Sequence, residues 1–287
     1  MVFGQARSLR QDVLLDPRER LAGRMLTCTD EAISDLHLDL SDVVVPGNIT
    51  ARTFPCRIAA LERVAPDVIR VLLRLPPAIC FRSVAGQSLD VIDPSGTRRS
   101  YSIANAPDRN GESTSLELHV RAVPGGLMSA YWFERARVND LLRLVGPRGT
   151  FFLPRIAGLD LVFLGTGTGI APIKSMLEVL DVASPEDSPR SICLYWGGRV
   201  PADLYWDPRA LPRLALRYTP VLSRAASAWP GRRGHVQEVL LADGFDPATS
   251  MVVACGSPLM IDSARSRLVE AGLPSTRFLS DAFVASN

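Results

Sequence analysis

Arg99-Ser100-Tyr101-Ser102 sets a cation, a flat aromatic ring and a hydroxyl at alternating positions of an extended stretch. Neighbouring side chains of a strand point to opposite faces, so Arg99 and Tyr101 share one face and Ser100 and Ser102 the other. A flavin asks for such groups: a guanidinium for its phosphates, a ring to lie on the isoalloxazine and a small hydrogen-bonding side chain nearby. Further along, Gly165-Thr166-Gly167-Thr168-Gly169 stands between an apolar run and a helical pattern. Bare backbone amides at a helix start attract anions, and a pyrophosphate fits there. The spacing is not G-x-G-x-x-G, because Ile170 takes the last glycine's place, and it lacks the Lys-Ser/Thr ending of a triphosphate loop. A tight turn set by packing is the alternative.

Other residues could join this chemistry. Cys255-Gly256 ends an apolar run where a thiol could face a nicotinamide ring, although a buried structural cysteine is the plainer reading. Trp196-Gly197-Gly198-Arg199 and Ser223-Arg224 close two more runs in the same way. Gly125-Gly126 precedes a further helix start with Ser129 in its first turn, a second candidate anion site. Arg121 shares a strand face with Glu117 and His119, which serves either that site or an exposed polar surface. Gly231-Arg232-Arg233-Gly234 reads as a solvated turn, with contact to phosphate as the lesser alternative.

The elements that must hold these residues fall into three regions. Residues 1–50 are acid-rich and end at Pro46-Gly47-Asn48. Residues 51–155 read as strands: Ile69, Val71, Leu73 and Leu75 alternate with Arg70 and Arg74, and Leu116, Leu118 and Val120 with Glu117, His119 and Arg121. Period-two alternation broken by Pro/Gly turns predicts an antiparallel β-barrel, interrupted by one helix from Leu127 to about Arg135. Residues 156–287 alternate strand and helix, which predicts a doubly wound parallel α/β sheet. Its strands fall at Leu159 to Leu164, Ile192 to Trp196, Arg217 to Leu222, Met251 to Ala254 and Arg277 to Leu279, with helices between them. Ile173, Met176, Leu177 and Leu180 follow Pro172 at helical spacing, and Ser257 caps a last helix that Gly272 stops.

A net charge of +2 without a long basic stripe argues against nucleic acid as a partner. Met1 to Arg10 lacks the apolar core of a secretory signal, and Leu161 to Ile173 is too short and glycine-broken to span a bilayer. Five scattered cysteines fit reduced thiols in a cytoplasm, and His37, His119 and His235 show no zinc spacing, so no mononuclear metal site is expected.

Taken in order, the motifs resemble the ferredoxin–NADP reductase superfamily, in particular oxygenase reductase components and deoxysugar (glucoseen) reductases. The resemblance covers residues from about 54 to 284. It rests on Gly86-Gln87, Arg99-x-Tyr101-Ser102, Arg121 with Pro124-Gly125-Gly126-Leu127-Met128-Ser129, Gly146-Pro147-x-Gly149-x-Phe151 and Gly167-Thr168-Gly169-Ile170-Ala171-Pro172. Tyr195-Trp196-Gly197-Gly198-Arg199, Cys255-Gly256-Ser257-Pro258 and Ser280-Asp281-Ala282-Phe283 complete it. It implies an FAD-binding barrel joined to an NAD(P)-binding sheet, with hydride passing from nicotinamide to flavin. Arg99 would then bind the FAD pyrophosphate, Tyr101 pack on the isoalloxazine and Ser102 approach its reactive nitrogen. Gly125, Gly126, Met128 and Ser129, with Arg121, would line phosphate. Gly167, Thr168, Gly169 and Pro172, with Gly198, Arg199, Ser223, Arg224 and Gly256, would hold the nicotinamide nucleotide. Cys255 would sit by its ring and Phe283 cover the flavin. Arg224, in a stretch without an acidic residue, would suit a 2′-phosphate.

The resemblance also implies an electron-acceptor protein, an oxygenase component or a ferredoxin, as partner. The alternative is a non-catalytic flavin- or nucleotide-binding subunit. Residues 18 to 43 resemble the tail of a plant-type [2Fe–2S] ferredoxin domain, with Cys28 in the place of its fourth ligand. The preceding C-x₄-C-x₂-C run is missing, so the chain as written is expected to carry flavin without a cluster. A sequence that begins late and a decayed domain both account for this.

Overall fold

The structure, a computed structural model, describes residues 4–8, 21, 23, 25, 30–37, 50–108 and 110–283. Cys28 lies outside the described residues. The chain divides into two compact units, Met1–Val44 and Val45–Asn287. In the first, β1 (Ala6–Ser8) pairs antiparallel with β2 (Asp30–Ala32), and Arg7 bridges to Glu31 across the pair.

The larger unit opens with a six-stranded antiparallel sheet in the order β7-β6-β10-β3-β4-β9. Its strands are β3 (Arg52–Ala65), β4 (Val68–Arg74), β6 (Ser88–Ile92), β7 (Arg98–Ser102), β9 (Ser115–Arg121) and β10 (Leu141–Arg148), while β5 (Phe81–Arg82) pairs with β8 (Glu112–Ser113). The two edges of the large sheet meet beyond β7, where Ile103 bridges to Leu118 and the Ala104 N–H donates to the Glu117 carbonyl. That closure makes the predicted barrel. Alternation decides which side fills it: Ile69, Val71 and Leu73 are buried while Arg70, Leu72 and Arg74 are exposed. Helix α1 (Leu127–Ala130) runs into one π turn, Tyr131–Arg135, which sends Tyr131 and Trp132 into the barrel core.

The second half is a parallel sheet in the order β14-β13-β12-β11-β15-β16. These strands are β11 (Asp160–Thr166), β12 (Ser191–Gly198), β13 (Leu216–Leu222), β14 (Arg232–Arg233), β15 (Ser250–Gly256) and β16 (Phe278–Ala282). Alternate residues of the central strands feed two cores. Leu161, Phe163 and Val253 join one with helix α2 (Ile170–Asp181), and Val162, Leu164 and Val252 join the other with α3 (Val236–Asp243) and α4 (Pro258–Glu270). The sheet is therefore covered on both faces, as its near-continuous apolar runs require. As expected, the Ser257 hydroxyl caps α4 by accepting from the Met260 N–H, and Gly272 ends it at a φ of 97°.

One expected helix is missing. Between β12 and β13 the chain makes only short 3₁₀ turns, Pro201–Asp203 and Pro208–Ala210. Pro201, Pro208 and Pro212 cannot sit in a continuous helix, and Leu204, Tyr205 and Trp206 cover the sheet instead. No helix among the described residues is long and apolar enough to cross a membrane.

Candidate functional site

The carboxyl ends of β11, β12, β13 and β15 meet at one edge of the parallel sheet. Because β12 and β15 flank β11 on opposite sides, the chain reverses direction there, and a crevice opens at such a switch point. Gly169 has no room for a side chain: a Cβ would stand 2.3 Å from the Cys255 carbonyl oxygen. Gly256, at a φ of 144°, is pressed as closely on Thr166, whose hydroxyl accepts from the Ser257 N–H. The loop 167–169 and the turn after Cys255 are thus locked together. Thr168 and Cys255 are buried, Pro172 is buried in the first turn of α2, and the Phe283 N–H donates to the Gly256 carbonyl while its ring packs on the core that holds Cys255. Burial, helped by nearby Asp281, holds the Cys255 thiol well above its usual pKa, so it is a neutral surface and not a thiolate. Gly198 and Arg199 are tied through their carbonyls to the N–H groups of Ser223 and Arg224, both exposed at the end of β13.

On the barrel side, Arg99 and Tyr101 are half-buried on one face of β7, as alternation predicts, while Ser100 is exposed. Ser102 does not share that exposure. The strand end turns beneath the other half, where the carbonyls of Ala104 and Asn105 accept from Lys174 and Ser175 of α2, and Ser102 is buried with it. The Tyr101 hydroxyl accepts from the Trp132 indole at 3.0 Å, which fixes the ring, and burial raises its pKa to about 12. The Arg99 guanidinium donates to the Arg98 carbonyl.

A cavity of about 760 Å³ opens beside α1, lined by Asp67, Arg121, Gly125, Gly126, Ser129 and Arg199 among others. Gly125, at a φ of 72°, has open space where a Cβ would be, so bare backbone faces the cavity. The Ser129 hydroxyl accepts from the Val123 N–H and shapes that loop. Met128 differs from expectation, since its side chain is buried in the barrel core and only its backbone belongs to the loop. The bare glycine pair of this cavity and, on β7, Arg99 with the fixed Tyr101 ring are groups that fit a dinucleotide flavin with a diphosphate and an aromatic ring system.

Arg121 joins the two halves of the unit. Its Nη1 lies 2.7 Å from where a Gly167 Cβ would be, and its Nε and Nη2 donate to Asp67. Glu117 and His119 are not the exposed surface that their polarity permitted. His119 donates through Nε2 to Glu117 at 2.8 Å and accepts at Nδ1 from the Tyr205 hydroxyl at 3.1 Å. Lys174 lies 3.4 Å from Glu117, donates to Glu178 at 2.6 Å and reaches the Ala104 carbonyl at 3.2 Å. Tyr205 stands edge-on to Trp196, whose indole donates to the Gly167 carbonyl. Hydrogen bonds, ion pairs and this one ring contact therefore link the end of β7 to the Gly167 loop.

This cluster has a pH signature. Burial opposes the Glu117 charge, yet its bond from His119 and the charge of Lys174 bring its pKa from 4.5 to about 2. Burial lowers His119 below 6.5 against the pull of Glu117. Both groups bind protons more tightly in the unfolded chain, so stability rises with pH and is lost on acidification. We expect a first loss as pH falls below 6.5 and a second between 4.5 and about 2, the Glu117 part on the order of 3 kcal/mol. Melting curves across that range check this, and Glu117→Gln should flatten the lower step.

Sequence reasoning passed over Asp67, Asp203, Tyr205 and Asp281. Asp67 and Asp203 hold Arg199, which the sequence assigns to nucleotide. Asp281 pairs in register with Cys255, and burial raises its carboxyl to about 6. Its signal was present in Ser280-Asp281-Ala282-Phe283, two residues before the expected aromatic cover.

Comparison with known proteins bears on the same two halves. Residues 55–153 match the oxidoreductase FAD-binding domain and residues 163–266 the oxidoreductase NAD-binding domain. The CDP-6-deoxy-L-threo-D-glycero-4-hexulose-3-dehydrase reductase of Yersinia pseudotuberculosis is 39% identical over 279 residues, covering 96% of this chain and 82% of that protein. The chain belongs to the ferredoxin–NADP reductase superfamily. Another member, reductase component 1 of the Comamonas sp. terephthalate 1,2-dioxygenase, is 31% identical and covers 92% of this chain and 78% of its own length. The crystal structure of the Amycolatopsis cytochrome P450 reductase GcoB matches with a TM-score of 0.79 at 28% identity, over 99% of this chain and 86% of that one. As a superfamily member, the chain is an oxidoreductase with an FAD-binding and an NAD-binding half. Among the described residues, no three His, Cys, Asp or Glu side chains gather as metal ligands do.

Proposed function

We propose that this chain is the reductase component of an electron-transfer system, taking hydride from NAD(P)H at the sheet edge and delivering electrons to an oxygenase component or an iron–sulfur protein. The observation that carries the reading is the contact of barrel Arg121 with Gly167 of the sheet, because it brings the barrel strand that leads to Gly125-Gly126 against the glycine loop of the sheet. Bound FAD would accept the two electrons of a hydride and release them one at a time. For that, Arg99 and the Gly125-Gly126 backbone would hold its diphosphate, and Tyr101, fixed by Trp132, would orient the ring. Ser102, buried at the end of the same strand, would hydrogen-bond at the reacting edge. Gly169 and the neutral Cys255 would admit a nicotinamide ring against the sheet edge, and Phe283 would cover the flavin until the nicotinamide arrives. The buried free thiols Cys56, Cys193 and Cys255 suit a cytoplasmic setting.

Anaerobic mixing of the FAD-loaded protein with NADH or NADPH tests the reading. Rapid bleaching of the flavin by one of them is expected, and no bleaching by either overturns it. Arg99→Ala should weaken FAD roughly 10- to 100-fold, from the loss of about 1.5–3 kcal/mol in charge-assisted bonds. Flavin content after desalting measures that, and full yellow occupancy would remove Arg99 from the site.

A further inference from the structure

Asp67, in the turn between β3 and β4, holds the two guanidiniums that border the cavity. Its Oδ2 accepts from Arg121 Nε at 2.9 Å, from Arg121 Nη2 at 2.8 Å and from Arg199 Nη2 at 2.9 Å. Its Oδ1 is buried without a hydrogen-bond partner among the described residues. One oxygen thus carries three N–H donors and the other none, which is a poor fit for a carboxylate able to accept on both oxygens. Arg199 is further held by Asp203, through Nε at 3.0 Å and through its own backbone N–H at 2.7 Å. Two arginines and two aspartates balance, so the cluster has no net charge while Asp67 stays in it.

The surroundings are those of a receptor for a larger anion. Arg121 rests on Gly167, in the bare-backbone loop at the switch point, and Arg199 directly follows the strand β12. Paired guanidiniums beside such a loop suit the oxygens of a diphosphate, which offers acceptors on both sides where Asp67 uses one. We propose that Asp67 is a resident counter-anion on the seat of the nicotinamide dinucleotide's diphosphate, and that nucleotide binding exchanges the carboxylate for phosphate oxygens at Arg121 and Arg199. Asp67 thereby holds nucleotide affinity down and favours release of the oxidised product. The exchange moves no bond and no proton. It rests on reading Gly167–Gly169 as the nucleotide loop.

The test titrates oxidised, FAD-loaded protein with NADP⁺, NAD⁺ and inorganic pyrophosphate, by calorimetry and by the change in flavin absorbance. Asp67→Asn keeps the shape and an acceptor oxygen but removes the charge. It should bind the preferred nucleotide and pyrophosphate about three- to tenfold more tightly at low salt, with the gain shrinking as salt rises. Adding Arg199→Gln should abolish the gain. If Asp67→Asn does not fold, Asp67→Ser serves in its place with the same expected direction. Unchanged or weaker binding in the folded variant overturns the proposal and leaves Asp67 a strut between the halves. A gain in FAD retention with nucleotide affinity unchanged also overturns it, because the seat then belongs to the flavin diphosphate. Pyrophosphate that binds wild-type protein and binds Asp67→Asn more tightly, with no nicotinamide nucleotide binding to either, overturns the functional reading and spares the anion seat.

Discussion

A Gly169→Ala variant is expected to keep its flavin and to lose about two orders of magnitude in the rate at which nicotinamide nucleotide reduces it. The backbone conformation is not the obstacle, for Gly169 sits at a φ of −60° and a ψ of −12°, which alanine adopts freely. Space is. A Cβ would lie 2.3 Å from the Cys255 carbonyl oxygen, 2.6 Å from its carbonyl carbon and 2.9 Å from the Gly256 Cα. All three are backbone atoms of the strand end, so no side chain can swing aside, and the loop or the strand end must move by about an ångström. That displacement falls between the proposed nucleotide loop and the place where the nicotinamide is proposed to lie. The barrel and its flavin groups are untouched by it. Stopped-flow reduction together with flavin content separates the two effects, and normal reduction by Gly169→Ala would remove this contact from the reaction geometry.

Lys174→Met should be the most damaging single change to stability outside the three apolar cores. Its side chain is 8% exposed, and its ammonium is shared among the Glu117 carboxylate, the Glu178 carboxylate and the Ala104 carbonyl. Removing one partner of a buried ion pair leaves the others charged and desolvated, which costs about 3–5 kcal/mol. For a chain of this size that is on the order of 10 °C in melting temperature. Lys174→Arg should recover part of the loss. The double variant Lys174→Met/Glu117→Gln should be less impaired than the sum of its single changes, because each removes a charge that the other leaves exposed to an apolar setting. Strict additivity in that cycle would show that the two groups do not interact.

Much of this architecture was legible from side-chain periodicity. The barrel strands announce themselves through alternations such as Ile69, Val71 and Leu73, and the parallel sheet through short apolar runs separated by helices, because each pattern states which faces are buried. The crossover after β12 departs from the expected helix because its spacing allows one while its prolines forbid it. The loop glycines at the sheet edge could be found because bare backbone beside a strand end has few other uses. The interface could not be found in this way. A histidine and a glutamate on alternate strand positions look like a wetted face until a second layer lies over them, and that layer comes from α2 and the Tyr205 turn, some 55 to 86 residues away in sequence. Asp67 was illegible for the same reason: its partner Arg199 is 132 residues distant, and no local pattern records the pairing.

Lys174 is also the only lysine among the 287 residues, the other basic side chains being arginines and three histidines. Acylating reagents, acetyl transfer and isopeptide-forming conjugation all need an accessible ε-amine, and the folded unit offers them none. Slow modification at this one position would instead count the moments when the two halves separate, making the residue a built-in reporter of that opening.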